Sequence, residues 1–573
     1  MEECTELSHP QEDGGEERVD RRLLYPVDTS PPFPSLLIHG LQQAFQVISG
    51  SLPAAVVIAN LIGAGEQWWV RAELLSLCLL LSGLATLLQV CVGCRLPLIQ
   101  GPAGTILVAI VVIVSDPKLS DGALRERTPG NDTSTALWKK RMTEIQGNLM
   151  LASGAQFLLG VSGTLGFLLR FIGPLTVAPT VLVLGITLCR YMIPLCEQHW
   201  GIASLTISLY ILFSVFLVNV RIPFLTLRRR KCHVTRYALF QLNAVILAVA
   251  VSWMTCHVLT VTNMLPGNST LHGHMARTDV RMRVLNDAPW IFLPVPFPYG
   301  MPTISASGFA AMATVTMVLI IQIPGNYSAT SSVIDLPQPP AHAINRGIVV
   351  DGLTGVISGM LGGVLASMAY VQSLGVVAVT KVASRMVFVS AALILMVGGV
   401  VGKVGALFTI IPDPVVGGVN LVATSTVTAV GVSMLQTVDL PSSRNLLILG
   451  TSVTLGILLP DWMAANEDSI NTGSKGFDQV IIVLLSTPMF VSSVLGCVLD
   501  NLAPGTLEER GVEKRDSARP CDRYLPQNDP YRLPYITRFM DRVRCCSFFP
   551  LSPTFNKEVM CQCCCDRTNS KPC

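Results

Sequence analysis

Three stretches of this chain set helix breakers beside side-chain amides and hydroxyls in otherwise apolar sequence. The first runs Pro97-Leu-Ile-Gln100-Gly101-Pro102-Ala-Gly-Thr105. The second is Gln322-Ile-Pro324-Gly325-Asn326, and the third is Tyr370-Val-Gln372-Ser373-Leu-Gly375, ending at Thr380-Lys381. An amide side chain offers donors and acceptor lone pairs in one plane, which suits a planar solute ring rich in amide groups. Gly and Pro free backbone N–H and C=O groups, and inside a membrane such groups persist only where protein or a polar ligand satisfies them. Gln322 and Asn326 are four apart and share a face if the helix survives Pro324. The candidate solute-binding residues are thus Gln100, Gly101, Gln322, Asn326, Gln372, Ser373 and Gly375. The bland alternative stays open: Gly and Pro are common in membrane helices, and buried amides also serve to glue helices together.

The rest of the sequence is short of other chemistry. The central apolar runs hold almost no Asp, Glu, Lys or His, so no proton relay, voltage sensor or acidic filter stands out. Asp351 and Asp413 fall near run ends; Asp351 follows Arg346 by five residues, as an ion-pair partner or a solvated charge. No metal-ligand cluster or nucleophile–base spacing suggests an enzyme, and no cofactor is expected.

The elements that must position these residues are membrane spans. The chain has 573 residues, 50% hydrophobic and 13% charged, and a mean hydropathy of +0.54. Soluble domains carry roughly 25% charged residues, so a soluble enzyme is excluded on surface grounds. A net charge of +3 leaves no basis for nucleic-acid binding. Apolar runs occupy Leu36–Ile62, Leu74–Val92, Leu98–Val114, Leu149–Leu169, Ile172–Ile193, Ala203–Val220 and Leu239–Val261. They resume at Ile304–Ile323, Ile348–Leu365, Val387–Val401, Leu407–Val432, Leu446–Leu459 and Val480–Leu499. With Met368–Lys381 as an interrupted span, hydropathy predicts about fourteen crossings and an all-α polytopic membrane protein.

Charge sets the expected orientation. Arg228, Arg229, Arg230, Lys231 and Arg236 form the densest basic loop, which the positive-inside rule puts in the cytoplasm. Both tails then lie in the cytoplasm, and the loops at about 116–146 and 264–300 lie outside. Each outer loop holds a glycosylation acceptor, Asn131 and Asn268. A third triplet at Asn326 falls at the inner end of a span and is expected to stay bare. Trp68, Trp69, Trp200, Trp290 and Trp462 sit at expected outer helix ends, as an interfacial belt or simply as packing. Seven of the 17 cysteines crowd the last 29 residues. Cys545, Cys546, Cys561, Cys563, Cys564 and Cys565 are candidates for palmitoylation or plain reduced thiols in a cytosolic tail.

On these motifs the chain resembles the nucleobase–ascorbate transporter family, in its vertebrate sodium-dependent vitamin C and nucleobase branch (solute carrier family 23), as a divergent member. The resemblance covers about 33–511. It is carried by Ile172-Gly-Pro-Leu-Thr-Val-Ala-Pro179-Thr180, His342-Ala-Ile-Asn-Arg-Gly347, Asp439-Leu-Pro-Ser-Ser-Arg444-Asn445 and Pro504-Gly-Thr-Leu-Glu-Glu-Arg-Gly511. It implies two inverted seven-helix repeats, with short extended pieces in the third and tenth segments. It also implies an N-terminal tail (1–33), a core domain (34–170 and 303–403), a gate domain (171–265 and 404–502), an extracellular loop (266–302) and a Cys-rich C-terminal tail (503–573). Elevator-like alternating access, often in a homodimer at the plasma membrane, is the implied mechanism. A small solute and the bilayer are the implied partners. A sodium ion is the implied coupling ion, held by backbone and hydroxyl groups near Thr105 and Ser373.

The departures from the family pattern matter most. The tenth-span signature has Ser373 where Asn is usual, and its leading Gln372 resembles nucleobase rather than ascorbate carriers. Gln322 stands where Glu is usual and Asn326 where the branch has Asp; the third span has Gln100-Gly101-Pro102, and the first has Gln42-Gln43 for a Gln-His pair. An amide cannot take up a proton as a carboxylate does. Three functions follow as expectations: a nucleobase-type secondary transporter, an L-ascorbate transporter of the same branch, or a non-transporting protein on an inherited carrier scaffold.

Overall fold

The computed structural model describes residues 23–506 apart from 66, 116–118, 120–132, 165–172, 229–230, 238, 269–270, 335, 338, 365, 371–372, 374–375, 378–379, 436–437, 467–469, 471 and 473–474. Beyond these it describes 509, 530–533 and 550–552. The protein is helical and polytopic. Among the described residues seven helices are long and apolar enough to cross a membrane, and shorter apolar helices accompany them.

The apolar runs fold as their breakers dictate. α1 (Phe33–Leu61) carries Pro34 in its first turn, where a missing N–H costs nothing, and is followed by α2 (Trp68–Cys91). The third run does not make one helix. Pro97, Gly101 and Pro102 hold its first part as strand β1 (Gln100–Pro102), and only Ile106–Val114 is helical, as α3. α4 (Thr133–Ser162), α5 (Pro174–Arg190), α6 (Ile193–Glu197) and α7 (Trp200–Ile211) follow.

The basic segment read as a loop is instead an antiparallel hairpin, β2 (Ile222–Arg228) with β3 (Lys231–Tyr237), in register from Ile222 opposite Tyr237 to Arg228 opposite Lys231. Its β-branched and aromatic residues are the strand signal in the sequence, and they lie interleaved with the basic run.

α8 (Leu239–Val261) leads into a folded loop that holds a 3-10 turn at His274–Ala276 and a short helix, α9 (Met282–Asp287). α10 (Ala306–Val333) continues through Pro324, so Gln322 and Asn326 do share a face. α11 (Ala341–Met360) is followed by strand β4 (Ser367–Ala369), which replaces the start of the interrupted tenth run. The chain then forms α12 (Arg385–Val400), α13 (Gly402–Thr409), α14 (Asp413–Met434) and α15 (Ser443–Ala465). The last run is split by Pro488 into α16 (Lys475–Leu485) and α17 (Pro488–Leu502).

Packing follows two sets of partners. α4 lies against α11 and α10; α2 lies against α12 and α1, and α3 against α10. In the other set α5 lies against α14, α17 and α15, while α7 lies against α14. Within the first set α12 and α2 nearly touch at Gly399. A Cβ there would sit 2.5 Å from the Leu80 nitrogen and 2.6 Å from the Ser76 carbonyl oxygen. Neither backbone atom can swing aside, so Gly399→Leu should wedge the two helices apart. Overpacking of this kind costs about 1–3 kcal/mol, and the lowered thermal unfolding midpoint of the purified variant measures it.

The C-terminal region departs from the expected soluble tail in part. Tyr531 is 1% exposed, and its hydroxyl donates to the Pro337 carbonyl at 2.6 Å. Arg346 donates to the Tyr531 carbonyl at 2.6 Å and Arg385 to the Pro530 carbonyl at 2.6 Å. Arg385 also holds the Arg95 carbonyl at 2.8 Å and pairs with Asp28, so one guanidinium joins both tails to the helix ends.

Candidate functional site

The two interrupted runs meet. β1 and β4 pair antiparallel, with Gln100 opposite Ala369, Gly101 opposite Met368 and Pro102 opposite Ser367. The pairing satisfies backbone groups that the helix breaks would otherwise leave bare in an apolar medium. Tyr370 closes the strand pair. Its N–H donates to the Ile99 carbonyl at 3.0 Å and its hydroxyl to the Pro102 carbonyl at 3.1 Å. The ring lies over Gly101, where a Cβ would sit 2.5 Å from a ring carbon. Gly101 is therefore required by close approach, not by backbone angle.

Gln100 is fully buried, and neither its amide nitrogen nor its oxygen has a hydrogen-bond partner. Its backbone N–H is held by the Thr86 hydroxyl at 2.8 Å, so the side chain is positioned while its polar atoms stay uncommitted. The Thr105 hydroxyl is also buried without a partner. On α1, which packs against β1 and α3, the Gln42 nitrogen and the Gln43 oxygen share that condition. A buried polar atom without a partner costs about 1–3 kcal/mol. Several such atoms lie on adjoining elements here.

The other candidates divide. Gln322 and Asn326 are buried, at 7% and 6% exposure, on α10, which packs against both α3 and β4. Among the described residues no side-chain hydrogen bond links either of them to Gln100 or Ser373. Ser373 is fully buried, and its hydroxyl donates to the Tyr370 carbonyl at 2.7 Å; no hydrogen bond joins it to Thr105. Gln372 and Gly375 lie outside the described residues, as do Asn131 and Cys545, Cys546, Cys561, Cys563, Cys564 and Cys565. Asn268 is exposed.

Three features escaped the sequence. Tyr370 is one; an aromatic residue just before a polar break was the available signal. Asp351 is another. It is neither solvated nor paired with Arg346, which holds the tail. It is 3% exposed, and the Gln89 amide donates to its carboxylate at 2.7 Å and to the Gly347 carbonyl at 2.8 Å. The third is a buried charge cluster around Asp413, bound by Arg71 at 3.2 Å and by Arg281 at 2.6 Å. Arg71 also holds Asn60 at 2.7 Å, and Arg281 the Ile411 carbonyl at 3.1 Å. Beside this cluster a cleft of about 860 Å³ opens between α2 and the folded loop, lined by Trp69, Glu73, His274, Arg277 and Phe292. At its rim Arg277 grips Asp279 at 2.7 Å and holds that carboxyl below the usual carboxylate range.

A helical bundle that carries two interrupted spans, joined by a strand pair with uncommitted amides beside it, is a membrane carrier. Residues 34–465 match the Permease family. Solute carrier family 23 member 2 of Mus musculus is 39% identical over 538 residues, covering 93% of this chain and 83% of that one. Nucleobase-ascorbate transporter 12 of Arabidopsis thaliana is 27% identical over 559 residues, covering 91% and 76%. Among solved structures, the transmembrane domain of a cyanobacterium bicarbonate transporter, BicA, aligns with a TM-score of 0.45 at 16% identity, over 80% of this chain and 98% of that one. The chain belongs to the Permease family and, within it, to solute carrier family 23. It is a secondary transporter.

Proposed function

We propose that the chain carries nucleobases or similar small polar solutes, coupled to sodium, by elevator-like alternating access. The observation that carries this reading is Gln100, a buried amide with both polar atoms uncommitted at the strand pair. A neutral ring with amide edges can give and accept the hydrogen bonds that such a group lacks. L-ascorbate, an anion, is less well served: neither 100–114 nor 367–380 contains a Lys or Arg. The naming of the Arabidopsis relative for nucleobases and ascorbate is compatible with either solute.

The two packing sets support a core formed by 34–170 and 303–403, moving against a gate formed by 171–265 and 404–502. In this reading the protein sits in the plasma membrane as a homodimer with both termini in the cytoplasm. Asn131 and Asn268 then face outside and carry glycans, and the tail cysteines are palmitoylated. The exposure of Asn268 supports its part of this.

The test is uptake of labelled uracil, hypoxanthine, xanthine, urate and ascorbate by cells expressing the chain, with Na⁺ present or replaced by choline and surface expression checked. Na⁺-dependent uptake of a nucleobase is the expected result. Uptake of ascorbate alone would reassign the solute. No uptake of any of the five at full surface expression would favour the non-transporting scaffold.

A further inference from the structure

Away from Thr105 and Ser373, a small cavity lies behind the strand pair. It holds about 20 Å³, room for a single water-sized species. Four hydroxyl residues line it: Ser82 on α2, Thr354 and Ser358 on the last turns of α11, and Ser367 on β4. Gly101 and Pro102 of β1 form another wall. Ser82, Thr354 and Ser358 are buried, at 4%, 3% and 1% exposure, and Ser367 is half-buried.

The direction of the hydrogen bonds decides what the cavity can hold. The Thr354 hydroxyl donates to the Asp351 carbonyl at 3.0 Å. It lies 2.8 Å from the Ser367 hydroxyl. One proton cannot serve both contacts; with it on the Asp351 carbonyl, Ser367 donates to Thr354. Both oxygens then keep lone pairs and have no proton left to give. An anion would need a basic partner, and no Lys, Arg or His lines this cavity. A divalent cation is favoured by carboxylates, and none lines this cavity. A proton would need a titratable oxygen, and hydroxyls are not one at working pH. A small monovalent cation needs only neutral oxygens. The C-terminal end of the 20-residue helix α11 adds its partial negative charge at the same place. Helix ends and unwound carbonyls of this kind are where transporters hold sodium.

We propose that the Ser82–Thr354–Ser358–Ser367 cavity is the sodium site of this carrier. This deepens the sodium-coupled reading above and moves the ion away from Thr105 and Ser373. It also supplies a link to the solute. Ser367 stands opposite Pro102 in the strand pair, and Gln100 is two residues further along the same strand. An ion that fixes Ser367 fixes β4 and, through β4, the strand that presents Gln100.

The test needs no transported solute, so it succeeds or fails independently of any uptake result. The melting midpoint of the purified full chain is measured in sodium chloride and in choline chloride at equal ionic strength. Sodium should raise the wild-type midpoint by on the order of 2 °C. Thr354→Ser keeps a hydroxyl and should keep the rise. Ser367→Ala and the isosteric Thr354→Val should lose it, and either one suffices if the other does not fold. No sodium-dependent rise in the wild type would mean that the cavity takes water only, and would overturn the proposal. So would a full rise in both Ser367→Ala and Thr354→Val, or a rise that Ser373→Ala removes and these variants keep.

Discussion

Gln100→Leu is expected to cut solute uptake sharply and to leave the fold intact. Leucine fills nearly the same volume as the amide. In the wild type both amide atoms are buried without a partner, so their removal relieves a desolvation penalty and breaks no protein hydrogen bond. Stability should stay level or rise by about 1 kcal/mol. Uptake should fall about tenfold or more, because one or two hydrogen bonds to solute are lost at about 1–1.5 kcal/mol each. Few substitutions separate function from stability so sharply. A variant that melts lower and still transports would make Gln100 a structural residue and shift the solute elsewhere. Measuring the midpoint and the initial uptake rate on the same preparation decides the matter.

Asp413→Ala should have the opposite profile, with a loss of stability that precedes any loss of transport. Asp413, Arg71 and Arg281 side chains are 7%, 4% and 3% exposed. Removing the carboxylate leaves two guanidinium groups facing each other in a buried place. Breaking a buried ion pair by deleting one partner costs about 3–5 kcal/mol, a large share of the total stability of a typical domain. The variant should reach the cell surface poorly and aggregate on extraction. A triple variant, Arg71→Met with Arg281→Met and Asp413→Leu, replaces the charges by apolar groups and should recover most of the loss. Recovery would show that the cluster's worth lies in pairing charges that the fold has already buried. The cluster also ties α2, α14 and the loop after α8 together. Any motion of α2 relative to α14 must therefore open it.

Much of this architecture was legible in the residues, and the rest was hidden for identifiable reasons. The apolar runs located the helices, and Pro97, Gly101 and Pro102 located the break that became β1. The same residues could not reveal its partner, since Tyr370 and Pro102 are 268 residues apart in sequence and no local pattern records such a pairing. Gln322 and Asn326 were placed on one face by their spacing, and the continuity of α10 through Pro324 realises it. Arg281 was invisible as a partner for Asp413 because it lies in a polar loop, where a charge ordinarily faces water. Asp351 is hidden for a similar reason: Arg346 is near in sequence, yet Gln89 is near in space. Tyr531 lies within a polar tail, where a single buried aromatic leaves no periodic trace.

The pairing of β1 with β4 has a consequence for how the protein is made. The ribosome completes Pro102 long before Tyr370, and at about 5–20 residues per second the delay is about 15–50 s. Throughout that interval the peptide groups of Gln100–Pro102 have no strand to bind, and hydrocarbon offers them nothing in return. The early half of the nascent chain must therefore wait beside water or an insertion factor, and it enters lipid fully only when the later half arrives. Slowing synthesis between the two segments should lengthen that exposed interval and divert more chains to degradation, without altering a single residue of the finished carrier.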